Sequence, residues 1–258
     1  YYVPVNARNW TLITSSNDFV KDLFKCSGRI YAEVELETCE IEFDAVTFMY
    51  DDHVILRDFS LTIQPGELMV VYGPSGSGKT TFTNLILKLI TPTEGQVRFG
   101  GFDLETLNPR LLHKWIAVVQ QNTTSLLTDT IYANIIHGYE DTCELRSQVR
   151  TICETYNISQ IFKTSDFLEI EVMKAGSNLS GGQKQVVHLL HAAINCNSKV
   201  LILDEPTSAL DCNTKAVVLE LIRYLHTVGK TVIIITHDPS IKKICPRVLT
   251  FCHGINPS

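Results

Sequence analysis

The chain has 258 residues, 45% of them hydrophobic and 19% charged. That balance excludes a disordered or collagen-like chain and suffices to bury a sizeable core, and no apolar run reaches the ~18–20 residues that cross a bilayer. A net charge of −6 argues against nucleic acid as the main partner.

The chain starts at Tyr1 rather than Met, as a piece of a longer protein would, and its first residues lack the charged-then-apolar pattern of a signal peptide. Residues 1–33 show no periodicity and read as a linker. From Ile41 the apolar residues alternate through Phe43, Val46, Phe48 and Tyr50. A second alternating piece, Phe59 to Ile63, stops at the turn Gln64-Pro65-Gly66. Together they predict a small antiparallel sheet. The apolar strand Leu68–Tyr72 follows, then a Gly-rich loop, then a helix with Phe82, Leu85, Ile86, Leu89 and Ile90 on one stripe, ending at Thr91-Pro92. Asn108-Pro109 predicts a capped helix start. A longer helix is predicted over 141–156, with Asp141-x-x-Glu144 as its cap. Two further buried strands, Val200–Leu203 and Val232–Ile235, flank a helix over 213–228 that Gly229 closes. Apolar strands alternating with helices predict a mostly parallel sheet covered on both faces. The eight cysteines include no Cys-x-x-Cys pair and read mostly as reduced core residues. The Asn-x-Ser/Thr triplets at Asn9, Asn122, Asn157 and Asn178 read as chance.

Three segments carry chemistry. Gly73-Pro74-Ser75-Gly76-Ser77-Gly78-Lys79-Thr80 fits Gly-x4-Gly-Lys-Ser/Thr between a buried strand and a helix, the context that gives the pattern meaning. Its backbone can curl so that N–H groups face phosphate oxygens, with the helix N-terminus adding positive potential. Lys79 supplies charge for the β and γ phosphates, and the Thr80 hydroxyl can ligate Mg²⁺. Asp204 and Glu205 stand where a buried strand leaves the sheet, the edge at which open α/β sheets bind ligands. Asp204 can hold Mg²⁺, and Glu205 can orient and deprotonate an attacking water. His237 follows another buried strand and could contact the γ-phosphate and hold that water in line. In Leu179-Ser180-Gly181-Gly182-Gln183, Ser180 and Gln183 stand in the capping-box relation at the start of an apolar helix, a second helix end shaped for phosphate.

Gly73–Thr81, Leu179–Gln183, Leu203–Asp211 and His237 together resemble the nucleotide-binding domain of ABC transporters, over roughly residues 40–250. The resemblance implies an α/β P-loop NTPase (RecA-like): a parallel sheet core, an antiparallel β subdomain and a helical subdomain inserted at about 122–190, within a domain over 34–258. It implies ATP and Mg²⁺, held by Gly73, Pro74, Ser75, Gly76, Ser77, Gly78, Lys79, Thr80 and Thr81. Tyr50 would stack on adenine, and Thr80, Gln121 and Asp204 would serve the metal. Glu205, His237, Gln121 and Lys79 would be catalytic; the doublet Gln120-Gln121 leaves two candidates, of which Gln121 is favoured. Ser180, Gly181, Gly182 and Gln183, with Asp211 of the loop Ser208–Asp211, would complete the site of a partner in a head-to-tail dimer, homo- or heteromeric.

Glu171-Val172 and Thr130–Ile135 resemble exporter-type half-transporters, which implies a membrane domain in the same full-length chain, with this domain on the cytosolic or matrix-like face. Residues 1–33 would be the tether. Departures are Met173 where a glycine is common, Pro246 where Asp is frequent, and Gln185-Val186 and His191-Ala192-Ala193 where arginines are usual. The alternatives are a soluble ABC ATPase, an importer ATPase subunit and a non-hydrolysing regulatory domain. No heptad run separates Lys79 from Ser180, as the coiled coil of repair ATPases would.

Overall fold

A computed structural model describes residues 34, 36–120, 126–243 and 245–252. The predicted linker over 1–33, Gln121, and the triplets at Asn9 and Asn122 lie outside these residues. The described chain divides into two compact units. One contains the described residues within 34–117, 197–205 and 226–252; the other contains those within 118–196 and 206–225.

The first unit holds two sheets. β1 (Ile41–Tyr50) pairs antiparallel with β2 (His53–Ile63) and with β4 (Glu94–Phe99), which pairs with the short β5 (Phe102–Asp103). The predicted antiparallel sheet is present, with β2 starting earlier than its apolar alternation suggested. The reason is the turn: Tyr50 pairs directly with His53, and Asp51 takes a left-handed φ of 49°, so the hairpin closes at once. The second sheet has the order β6-β7-β8-β3-β9, built from β3 (Leu68–Tyr72), β6 (Ile116–Val119, whose first two residues belong to this unit), β7 (Val200–Asp204), β8 (Thr231–Thr236) and β9 (Arg247–Thr250). β3 runs parallel to both β8 and β9, and β7 parallel to β8. All six residues of β8 are buried, as are Leu68–Val71 and Val200–Leu203, the mark of strands covered on two faces.

Helix α1 (Lys79–Ile86) follows the Gly-rich loop. It is shorter than its apolar stripe predicted. Lys88 adopts φ 56°, and its Nζ donates to the carbonyls of Glu105 and Leu107 at 2.9 Å each, so the chain leaves the helical path before Leu89. Phe82 of α1 stacks on Phe43 at 4.9 Å and meets Phe59 and Phe251 edge-on. Each such pair adds ~0.5–1.5 kcal/mol beyond area burial. This cluster of rings seats the start of α1 against β1, β2 and the end of β9. Helix α2 (Pro109–Trp115) has Asn108 as N-cap, accepting from the Arg110 N–H at 3.0 Å, with proline in the first turn as predicted.

The second unit is helical: α3 (Ile131–Ile135), α4 (Cys143–Thr155), α5 (Ser159–Phe162), α6 (Gly181–Ile194) and α7 (Cys212–Thr227). Helix α4 begins at Thr142, whose hydroxyl accepts from the Leu145 N–H at 3.2 Å, and not at Asp141. The Asp141 carboxylate is occupied elsewhere, by the Tyr132 hydroxyl and the Arg146 guanidinium, both at 2.6 Å. The cysteine expectation also needs correction. Among the described residues all are free thiols, but only Cys39 and Cys153 are buried, whereas Cys143, Cys196, Cys212 and Cys252 are exposed. Cys143 and Cys212 open helices, where the first turn faces water.

Candidate active site

The first unit gathers Lys79, Asp204, Glu205 and His237. The loop 73–78 connects β3 to α1. Gly78 has φ 105°, and a Cβ there would stand 2.9 Å from Ile55 Cγ2; only glycine combines that φ with that proximity. Lys79 is 9% exposed and curls back so that its ammonium donates to the carbonyls of Gly73 (2.8 Å) and Pro74 (2.7 Å). Burial pulls its pKa below the ordinary lysine value, while Glu205 and Asp204 pull the other way. The buried Ser77 hydroxyl has no hydrogen-bond partner. An orphaned hydroxyl beside a lysine held by its own loop fits a polyanionic ligand, since a phosphate chain supplies acceptors for both.

Asp204 is the last residue of β7. Its pKa is raised by burial and by the adjacent Glu205, and Lys79 partly offsets this. A carboxylate kept part-buried next to another acid fits a divalent cation, so the donor set of Thr80 and Asp204 is compatible with Mg²⁺. Glu205 follows with φ 50°, a left-handed conformation that costs a non-glycine residue of order 1 kcal/mol and clusters at active sites. Its N–H donates to the Ile235 carbonyl at 2.8 Å, which anchors the strained residue to β8.

The Glu205 carboxylate accepts three hydrogen bonds from the end of β8 and the residue after it. Thr236 Oγ1 donates to Oε2 at 3.0 Å, the His237 N–H donates to Oε1 at 3.2 Å, and His237 Nδ1 lies 2.6 Å from the same oxygen. An ionised carboxylate only accepts, so the Nδ1 contact requires a proton on that nitrogen. His237 thus also holds Glu205, a contact that its position at a strand end does not reveal. Its side chain is 67% exposed and that of Glu205 14%. Thr236 is the residue that sequence reasoning missed: a threonine ending an apolar strand gives no signal of its own. Tyr50, at the end of β1, is 44% exposed with its ring edge-on to Phe48 at 4.9 Å, a platform available for stacking. Gln121 lies outside the described residues.

The second unit carries the other motif. Ser180 caps α6 with the predicted capping box: its Oγ accepts from the Gln183 N–H at 3.2 Å, and Gln183 Oε1 accepts from the Ser180 N–H at 2.8 Å. Gln183 Nε2 also donates to the Ile161 carbonyl at 3.1 Å, so the glutamine side chain is spent on holding the helix end. Ser180 is exposed, and its hydroxyl keeps a donor beyond the cap. Asp211 is engaged at the start of α7. It accepts from the N–H groups of Asn213 and Thr214 at 3.0 Å each and from the Thr214 hydroxyl at 2.6 Å, and these bonds hold its pKa below the usual carboxylate range, the Thr214 hydroxyl foremost.

The segment before the signature motif Leu179–Gln183 is stapled by one side chain. Asn178 Nδ2 donates to the Glu171 carbonyl and Asn178 Oδ1 accepts from the Met173 N–H, both at 2.9 Å, and Glu171 bridges to Thr130. Glu171 and Met173 are exposed, Met173 by 61%. Where arginines were expected on α6, His191 lies 2.7 Å from the Ile135 carbonyl through Nδ1, and burial pulls His188 down to about 4, so His188 is neutral at pH 7. Lys184 donates to the Ala175 carbonyl at 3.2 Å.

A parallel sheet with a Gly-rich loop leading to a buried lysine, and an acidic pair at the neighbouring strand end, defines a P-loop NTPase. The family described as ABC transporter matches residues 56–208, more than half the chain. The chain belongs to the ABC transporter family, as its ATP-binding and ATP-hydrolysing domain. It is 34% identical over 219 residues to an ATP-dependent lipid A-core flippase of Ralstonia nicotianae, covering 83% of this chain and 36% of the relative. It is 35% identical over 219 residues to ATP-binding cassette sub-family B member 10, mitochondrial, of Mus musculus, covering 83% of this chain and 30% of the relative. Among solved structures it is similar to a bacterial Atm1-family ABC exporter with ATP bound, at a TM-score of 0.73 and 28% identity, covering 93% of this chain and 42% of that one. The chain thus spans about a third of the length of these curated relatives, and among the described residues no helix is long and apolar enough to cross a membrane.

Proposed function

We propose that this domain powers a membrane exporter, by closing head to tail on a second such domain around ATP and separating after hydrolysis. The observation that carries the reading is the division of labour between two half-sites. One unit holds the lysine, the acids and the histidine. The other offers a capped helix end, with the nearby Asp211 carboxylate already taken up by Asn213 and Thr214. Relatives that are exporters, and the share of their length this chain spans, support a membrane domain elsewhere in the same protein, with this domain on its cytosolic or matrix-like face.

In this reading Lys79 exchanges the Gly73 and Pro74 carbonyls for phosphate oxygens, and Ser77 gains its missing partner. Thr80, Asp204 and Gln121 would hold Mg²⁺, which when bound neutralises charge developing on the phosphates. Tyr50 would stack on the adenine, worth ~1–3 kcal/mol. Glu205 takes the proton of the attacking water. Thr236 and the Nδ1–H of His237 hold the carboxylate in place, and His237 Nε2 would donate to a phosphate oxygen when the ring carries both protons. Ser180 and the first N–H groups of α6 would receive the γ-phosphate held by the partner. Glu171 and Met173 would face the membrane domain.

Glu205→Gln tests this directly. It keeps the shape of the site and removes the base, so ATP binds, turnover falls by at least ~100-fold, and the nucleotide-bound pair accumulates. Size-exclusion chromatography with ATP and Mg²⁺ reads the pair. Parent-like turnover in the variant would remove Glu205 from the chemistry, and an ATP-independent elution volume would count against the dimer.

A further inference from the structure

Gly181 and Gly182 are neighbours at the start of α6, yet their surroundings differ. A Cβ added at Gly181 would meet nothing within 4 Å, while one added at Gly182 would stand 2.8 Å from Thr214 Cγ2 and 3.1 Å from Leu210 Cδ2. Leu210 presents the end of a flexible side chain. Thr214 does not: it is 6% exposed, β-branched, and in the first turn of α7. Its hydroxyl donates to Asp211 Oδ2 at 2.6 Å, and its N–H donates to Oδ1 at 3.0 Å. Turning the methyl away from Gly182 would rotate the hydroxyl off Asp211, because both sit on the same χ1.

We propose that Thr214 is a positioning residue for the signature half-site, and that Gly182 is glycine because α6 packs there on the Thr214 methyl. One side chain then sets both features that the partner would meet: its methyl fixes how close the Ser180–Gly182 helix end lies to α7, and its hydroxyl holds Asp211. The proposal rests on the reading that the Ser180 helix end takes part in turnover.

The test is a double-mutant cycle in the full-length protein that contains this chain. Gly182→Ala is placed in the parent and in a Thr214→Ser background, which removes the obstructing methyl and keeps the hydroxyl. The expected result is a kcat lower by about tenfold in the parent background but by about twofold in the Thr214→Ser background. KM for ATP stays within about twofold in both, because the residues that hold the nucleotide's own phosphates lie in the other unit. Gly182→Ala in a Thr214→Val background keeps a methyl at the contact and loses the hydroxyl, and no rescue is expected. An equal loss of kcat in the parent and Thr214→Ser backgrounds, or rescue by valine as good as by serine, overturns the proposal. Melting temperature gives the same coupling without turnover: Gly182→Ala lowers it more in the parent than in the Thr214→Ser background, and equal shifts count against the packing. If Ser180→Arg leaves turnover unchanged while this thermal coupling persists, the signature reading fails and the packing stands.

Discussion

Asp204 shows what the site costs at the scale of one residue. Burial and Glu205 raise its pKa above 3.8, so the fold favours its neutral form. The penalty is absent well below that ordinary value, where folded and unfolded chains are both protonated, and it grows as pH rises through the folded value. Wherever the carboxylate is charged, the protein carries that cost. Asp204→Asn should therefore stabilise the protein at neutral pH by on the order of 1 kcal/mol after discounting for its part-exposed side, read as a higher melting temperature. The gain should shrink as the buffer is acidified, and metal-dependent turnover should be lost. A lower melting temperature at pH 7 would mean that attraction to Lys79 outweighs burial. Glu205 is a second residue of this kind: its left-handed φ and its bonds to Thr236 and His237 hold a strained acid in one place. The sequence named Glu205 and His237 separately, but no spacing rule joins residues so far apart.

Among the elements, the strands were the most legible. β3, β7 and β8 are unbroken apolar runs because both their faces are covered, and composition alone shows that. Helix ends were less so. The stripe through Leu89 and Ile90 continues past the true end of α1, since periodicity marks burial and not the φ of Lys88. At α4 both Asp141 and Thr142 are good caps by type, and the choice was made by Tyr132 and Arg146, which claim the aspartate. Thr142→Ala should accordingly destabilise the protein by about 1 kcal/mol, lowering the melting temperature by ~2–4 °C. No shift in a calorimetric scan would return the cap to Asp141. At α6 the capping box was readable because its partners are three residues apart; the Gln183 bond to Ile161 and the Gly182 contact with Thr214 were not.

For the molecule as a whole, the proposed function gives the two units chemically unlike halves of one reaction, which predicts that they fail in different ways. Ser180→Arg places a bulky side chain at the α6 start and leaves Lys79, Asp204 and Glu205 untouched. Calorimetry should give a near-parent ATP affinity for the Lys79 side, within about threefold, while turnover falls to background. Parent-like hydrolysis would take the signature out of the mechanism. Lys79→Ala is the opposite case, in which binding itself is lost.

Amino-acid order by itself determined the class of the domain, the phosphate loop, the acidic strand end, the signature cap and the buried strands, because each is a local pattern of backbone freedom, capping or burial within a few consecutive residues. Tertiary structure decided which groups those patterns meet: that Glu205 is held by Thr236 and His237, that Asp141 serves Tyr132 and Arg146, and that Gly182 lies on Thr214. Such pairings depend on which strands are neighbours and how closely helices approach, and neither is written in the spacing of residues along one segment.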